Sequence, residues 1–132
     1  NITSIIDQTS RANSCFNLCL SELGAFPKLK YPRVIWVGIT GEGPLIKISE
    51  ELEKQALSIG LPPEIRAFNS HITLGRVRSG LNREALVEKL NLPGKAACFK
   101  NTEFKVSAIT LFKSTLTPAG PIYEVISTSP LK

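Results

Sequence analysis

An α+β domain, with helices packed on sheets rather than a regular parallel sheet, is the fold class that three features of the 132-residue chain predict. Leu45, Ile48, Leu52, Ala56 and Ile59 fall on one helical stripe, and Leu86, Val87 and Leu90 lie on another helix. Around them run short alternating or β-branched stretches, residues 33–39 and 122–126 above all. The signals follow in the order α, β, β, α, β, α, β, β, with no low-complexity segment or long linker, so residues 1–132 read as one domain.

Taken in order, Ile2, Ile5 and Ile6 have helical spacing and predict a helix over residues 2–13. Phe16, Leu18 and Leu20 alternate with Cys15, Asn17, Cys19 and Ser21, the pattern of a half-buried strand. Gly24-Ala25-Phe26-Pro27 is expected to open a loop. Arg33-Val34-Ile35-Trp36-Val37-Gly38-Ile39 is apolar on both faces, so it is expected to be a central strand with Trp36 in the core. Pro44 suits the first turn of the next helix, with Lys47, Glu50, Glu51, Glu53 and Lys54 facing water and Gly60 ending it. After the stiff Leu61-Pro62-Pro63-Glu64 loop comes a strand ending at Ser79-Gly80. Asn82 is placed to cap a helix that stops at Pro93-Gly94. Phe104, Val106, Ile109, Leu111 and Phe112 predict one long strand or two split by a bulge. Leu116 to Pro121 is a turn, and Ile122 to Ile126 returns as a strand.

Bulk properties exclude several classes. No stretch approaches the roughly 18 apolar residues a membrane span needs, and Asn1-Ile2-Thr3-Ser4 lacks a basic start and an apolar run. Cys15, Cys19 and Cys98 have neither CxxC spacing nor a second ligand pair. Reduced thiols in a cytoplasmic protein, without zinc, are therefore expected. The net charge of +5 is uneven: residues 1–65 carry 6 Lys/Arg against 7 Asp/Glu, while residues 66–132 carry 10 against 4. A positive field over the second half favours an anionic substrate such as a nucleotide or RNA end.

That half holds the chain's one histidine, in Phe68-Asn69-Ser70-His71-Ile72-Thr73-Leu74-Gly75-Arg76. Alternation puts His71 and Thr73 on one face of a strand and Ile72 and Leu74 on the other, where they would pin it to a core. An imidazole moves protons near neutral pH, and a hydroxyl beside it can hold a phosphate oxygen. By the same alternation Arg76 points away from His71, with a bend at Gly75 as its way back to the rim; a structural arginine closing the strand is the alternative. Arg78 reads as a solvent-facing cation. Phe68 either stacks on a nucleobase or packs in the core.

His71-Ile72-Thr73-Leu74-Gly75-Arg76 resembles the second H-x-T-L-x-R motif of the 2H phosphoesterases. More narrowly, the chain is similar to the RNA 2′,3′-cyclic phosphodiesterases, historically called 2′-5′ RNA ligases. Leu23 to Pro27 with Pro32 to Gly38, and Leu111 to Tyr123, extend the likeness from about residue 15 to the end. The resemblance implies a two-lobed, pseudo-symmetric fold with mixed or antiparallel sheets and helices outside. It implies opening of a 2′,3′-cyclic phosphate on RNA or an oligonucleotide to a 2′-phosphomonoester, with one histidine as base and another as acid. His71 and Thr73 would then be catalytic, Arg76 and Phe68 substrate-binding, with no metal or cofactor required.

The family's first H-x-T motif lies some tens of residues upstream of the matched segment, yet residues 1–70 hold no histidine and the chain holds no Met. Residues 1–132 are therefore expected to be a single 2H phosphoesterase domain, N-terminally truncated, with its first lobe incomplete. Strands lost from a lobe leave unpaired edges, so self-association of the segment is expected. An RNA-end or nucleotide-binding module with little catalysis, or an interaction domain on a reused fold, are the alternatives.

Overall fold

The computed structural model describes residues 1–93, 99 and 101–132. Cys98 and Gly94, which entered the thiol and helix-end expectations, lie outside the described residues. The elements are α1 (Ile2–Ala12), β1 (Phe16–Lys28), β2 (Tyr31–Thr40), α2 (Gly43–Ser58), β3 (His71–Arg76), α3 (Arg83–Asn91), β4 (Glu103–Val106), β5 (Ala108–Thr117) and β6 (Gly120–Pro130). The α+β class and the element order hold, and the residue 104–112 stretch is two strands belonging to different sheets. Among the described residues no helix is long and apolar enough to cross a membrane.

The chain forms two compact units. One comprises residues 1–16, 43–68 and 105–132. Its helix α1 starts where the Asn1 side chain accepts the Thr3 N–H at 3.0 Å, a standard N-cap. Ile5, Ile6, Ile48 and Leu131 are buried here. Polar side chains tie α1 to α2: buried Asn13 donates to the Thr9 carbonyl at 2.9 Å and to Glu51 Oε2 at 2.7 Å, and Gln55 donates to Thr9 Oγ1 at 2.9 Å. Glu51 is thus engaged rather than facing water as expected, because the α1 end falls within reach of its carboxylate. Gly60, at φ 85°, follows α2 in the left-handed conformation that glycine adopts without strain. Strands β5 and β6 form a hairpin whose turn is held by Thr117 Oγ1 donating to the Gly120 carbonyl at 2.6 Å.

The other unit comprises residues 17–42 and 69–104 and is built on an antiparallel sheet in the order β3-β2-β1-β4. Leu18, Ala25, Val37 and Leu90 are buried in it. Strand β2 is central, as expected, with β1 and β3 on its flanks. The segment Gly24 to Pro27 is not a loop: β1 runs on to Lys28, with Ala25 opposite Ile35 and Phe26 opposite Val34. Glycine here serves packing rather than a turn, since a Cβ on Gly24 would stand 2.2 Å from Trp36 Cζ2. Asn82 occupies the N-cap of α3 but makes no side-chain cap bond, having adopted left-handed φ 57°, a region asparagine tolerates.

Candidate active site

Register decides what shares a face with His71. On the antiparallel pair β2–β3, Gly38 lies opposite His71, Val37 opposite Ile72 and Trp36 opposite Thr73. The next pairs are Ile35 with Gly75 and Val34 with Arg76, so Leu74 is an extra residue, a β-bulge. Directly opposed residues project to the same side. Val34, Trp36 and Gly38 alternate regularly on β2, so Arg76 stands on the face of Thr73 and His71. Unbroken alternation would have turned it away; the bulge restores it.

The bulge also alters the apolar side of the motif. Ile72 and Leu74 are 38% and 55% exposed, not the core anchors expected. Among the described residues strand β3 is a sheet edge with a neighbour on one flank only, and Leu74 is displaced by the bulge.

Around His71 the sheet supplies aromatic rings. The Phe26 ring meets the imidazole edge to face, with centroids 5.1 Å apart, and the Trp36 ring lies 6.2 Å away. Phe26 and Trp36 are themselves 5.1 Å apart. Trp36, expected in the core, is half-buried and flanks the histidine. The space its indole needs comes from Gly24, where the missing side chain leaves room on the neighbouring strand. Trp36 Nε1 is buried and finds no hydrogen-bond partner among the described residues.

Imidazole Nδ1 lies 2.7 Å from the Asn69 carbonyl oxygen. A carbonyl can only accept, so Nδ1 carries the proton and donates it. Nε2 is then the nitrogen left to take a proton, or to give one once charged. Thr73 and Arg76 are exposed on the same face, offering a hydroxyl and a guanidinium to an anion. Phe68, 49% exposed, falls in the other unit; the rings that flank His71 are Phe26 and Trp36. Sequence reading missed both. The signal that could have found them is the pairing of a glycine in β1 with a tryptophan in β2. Among the described residues no three His, Cys, Asp or Glu side chains cluster as metal ligands would, and Cys15 and Cys19 are free thiols.

Residues 37–123, which include the histidine strand and most of the C-terminal hairpin, match the model of the LigT-like phosphoesterases. The chain belongs to this family. It is 40% identical over 112 residues to the RNA 2′,3′-cyclic phosphodiesterase of Aeropyrum pernix, covering 84% of this chain and 62% of that protein. To the protein of the same name from Methanothermobacter thermautotrophicus it is 33% identical over 122 residues, 92% of this chain and 64% of the relative. The phosphoesterase chain thus spans about three-fifths of the length of these relatives. Its fold matches the crystal structure of TT0787 of Thermus thermophilus, with a TM-score of 0.73 at 24% identity, over 98% of this chain and 67% of that one. Escherichia coli LigT in its apo form matches with a TM-score of 0.70 at 22% identity, over 98% and 65%. The fold expected from the motif is therefore that of the family.

Proposed function

We propose that residues 1–132 form one phosphoesterase domain of an RNA 2′,3′-cyclic phosphodiesterase and supply one half of its acid/base pair. The observation that carries the reading is His71: Nδ1 is anchored to the Asn69 carbonyl, and Thr73 and Arg76 share the face of its ring. In the proposed reaction a water oxygen bonds to phosphorus as the bond from phosphorus to O3′ breaks. One group takes the water proton and another gives a proton to O3′, leaving a 2′-phosphomonoester. His71 Nε2 suits either role, since both need one nitrogen that is free to exchange a proton. Thr73 Oγ1 donates to a non-bridging phosphate oxygen, and Arg76 offsets its negative charge. The 132 residues contain one histidine, so the second proton-transfer group of this scheme is not a histidine among them.

Support also comes from relatives named RNA 2′,3′-cyclic phosphodiesterase at 30–40% identity. The substrate is an RNA or oligonucleotide bearing a 2′,3′-cyclic phosphate, and the place of action is the cytoplasm. The test is turnover of an oligonucleotide with a 2′,3′-cyclic end by the protein and by its His71→Ala form. Turnover in the first and its loss in the second is expected. Binding of the oligonucleotide without turnover by the wild-type protein would instead favour a nucleotide-binding module, the reading that a single histidine favours.

A further inference from the structure

At the end of β3 away from His71, the chain forms an open cavity of about 170 Å³ lined by Pro32, Arg33, Val77, Arg78, Ser79, Gly80 and Arg83. Among its described lining residues three are arginines and none is acidic. Among the described residues no carboxylate comes within 4.0 Å of any of these guanidinium groups; the ion pairs found involve Arg11, Lys47 and Lys113. Bringing like charges together without a counter-charge is unfavourable, so backbone and packing must hold them. Val77 N–H donates to the Arg33 carbonyl at 2.9 Å, which brings the segment bearing Arg78 alongside β2. The Arg83 guanidinium lies over the Tyr31 ring, 5.7 Å from its centroid, and Lys28 lies 5.4 Å from the same ring. Such cation–π contact holds a cation in place without neutralising it. The cavity volume corresponds to roughly five or six waters, enough for one phosphate group with some of its hydration.

We propose that this arginine-lined cavity is a second phosphate subsite, which takes a backbone phosphodiester of the RNA strand whose cyclic end reacts at His71. The proposal rests on the phosphodiesterase reading above. Six residue steps lead from His71 to Val77, about 20 Å along an extended chain. A mononucleotide cannot reach from one end to the other, whereas an oligonucleotide of several residues can. Arginine suits the task because its planar fork grips phosphate oxygens in pairs. Tyr31, 56% exposed beside Arg83, offers a ring on which a neighbouring base can stack. Arg78, read from the sequence as a plain solvent-facing cation, acquires this role from the residues the fold gathers around it.

The experiment compares two substrates, a 2′,3′-cyclic mononucleotide and an octanucleotide with a 2′,3′-cyclic end. It uses the wild-type protein and an Arg33→Gln/Arg78→Gln variant that keeps Arg83 on Tyr31. The expected result is a loss of about tenfold or more in kcat/KM on the octanucleotide, from the charged hydrogen bonds removed, with cyclic mononucleotide turnover unchanged. Equal losses on both substrates, or none on either, would overturn the proposal. A second measurement stands apart from catalysis: binding of a fluorescent octanucleotide with an ordinary 3′-hydroxyl. The slope of log Kd against log salt should flatten by about 0.7 for each phosphate that the variant no longer neutralises. If the wild type turns over neither substrate, the phosphodiesterase reading fails, while the subsite still stands or falls on this slope. Competition by inorganic phosphate as strong as by the octanucleotide would assign the cavity to free phosphate and overturn the RNA reading.

Discussion

The Phe26 and His71 rings meet nearly at right angles, with centroids 5.1 Å apart and planes at 87°. The two come from non-adjacent strands, joined across β2, so their meeting depends on both registers of that central strand. The contact constrains the plane of the imidazole, while the Asn69 carbonyl constrains which nitrogen bears the proton. Together they fix the plane and the tautomer of the ring.

Replacing Phe26 by leucine keeps an apolar side chain but removes the ring. Aromatic pairs contribute about 0.5–1.5 kcal/mol beyond burial, so kcat on a cyclic-phosphate substrate should fall by roughly 2- to 12-fold. KM should hold, because Phe26 acts through His71 and does not itself grip the phosphate. Steady-state kinetics separates the two, and a change confined to KM would contradict a positioning role.

His71→Gln retains a polar side chain at the strand start and removes the proton carrier. Turnover should drop by about 10²–10⁴, with thermal stability close to wild type because the residue stands at the end of an edge strand. Melting curves measured beside the kinetics show whether the loss is chemical or structural.

Gly24→Ala would thrust a methyl group into the Trp36 indole, 2.2 Å from Cζ2. Displacing a packed ring typically costs about 1–3 kcal/mol, visible as a lower urea midpoint. Activity should fall with it, since the same indole flanks His71.

Arg76→Ala should weaken the affinity for the substrate by roughly 10- to 100-fold, as expected for losing a charged hydrogen bond to phosphate. Arg76→Lys should recover part of that loss, since the charge remains but the paired donors do not. If the side chain instead faced away from His71, both variants would bind like the wild type.

In the other unit, Asn13→Ala removes a donor to the Glu51 carboxylate, which keeps its ion pair with Lys47, and a donor to the Thr9 carbonyl. Asn13 is buried, so about 1–3 kcal/mol of stability should be lost. Urea unfolding measures it, and an unchanged midpoint would mean that water replaces the bonds at no cost.

Much of this protein could be read before folding was considered. Helices α1, α2 and α3 follow from apolar spacing and end near the residues that punctuate the sequence. The central place of β2 follows from apolar residues on both its faces. The His71–Thr73 pair follows from the period of a strand, which is local and holds for two residues. Family membership was legible for the same reason, because the motifs are contiguous.

What failed was whatever a partner strand decides. The residues Gly24 to Pro27 carry loop chemistry, yet they form a strand because β2 offers them a ladder and Trp36 needs the empty place at Gly24. Trp36 reads as core from its strand pattern and is half-buried, flanking His71. Arg76 reads as facing away, but one bulged residue, Leu74, inverts that outcome.

The sequence by itself thus determined the elements, the family and the pairing of His71 with Thr73 on one strand face, all properties of neighbours along the chain. Only the tertiary structure decided the rest: Arg76 on the face of His71, Phe26 and Trp36 around the imidazole, and three arginines about one cavity. A single residue of register moves every later side chain to the opposite face. That register is set by hydrogen bonds between strands distant in sequence, which no local pattern encodes.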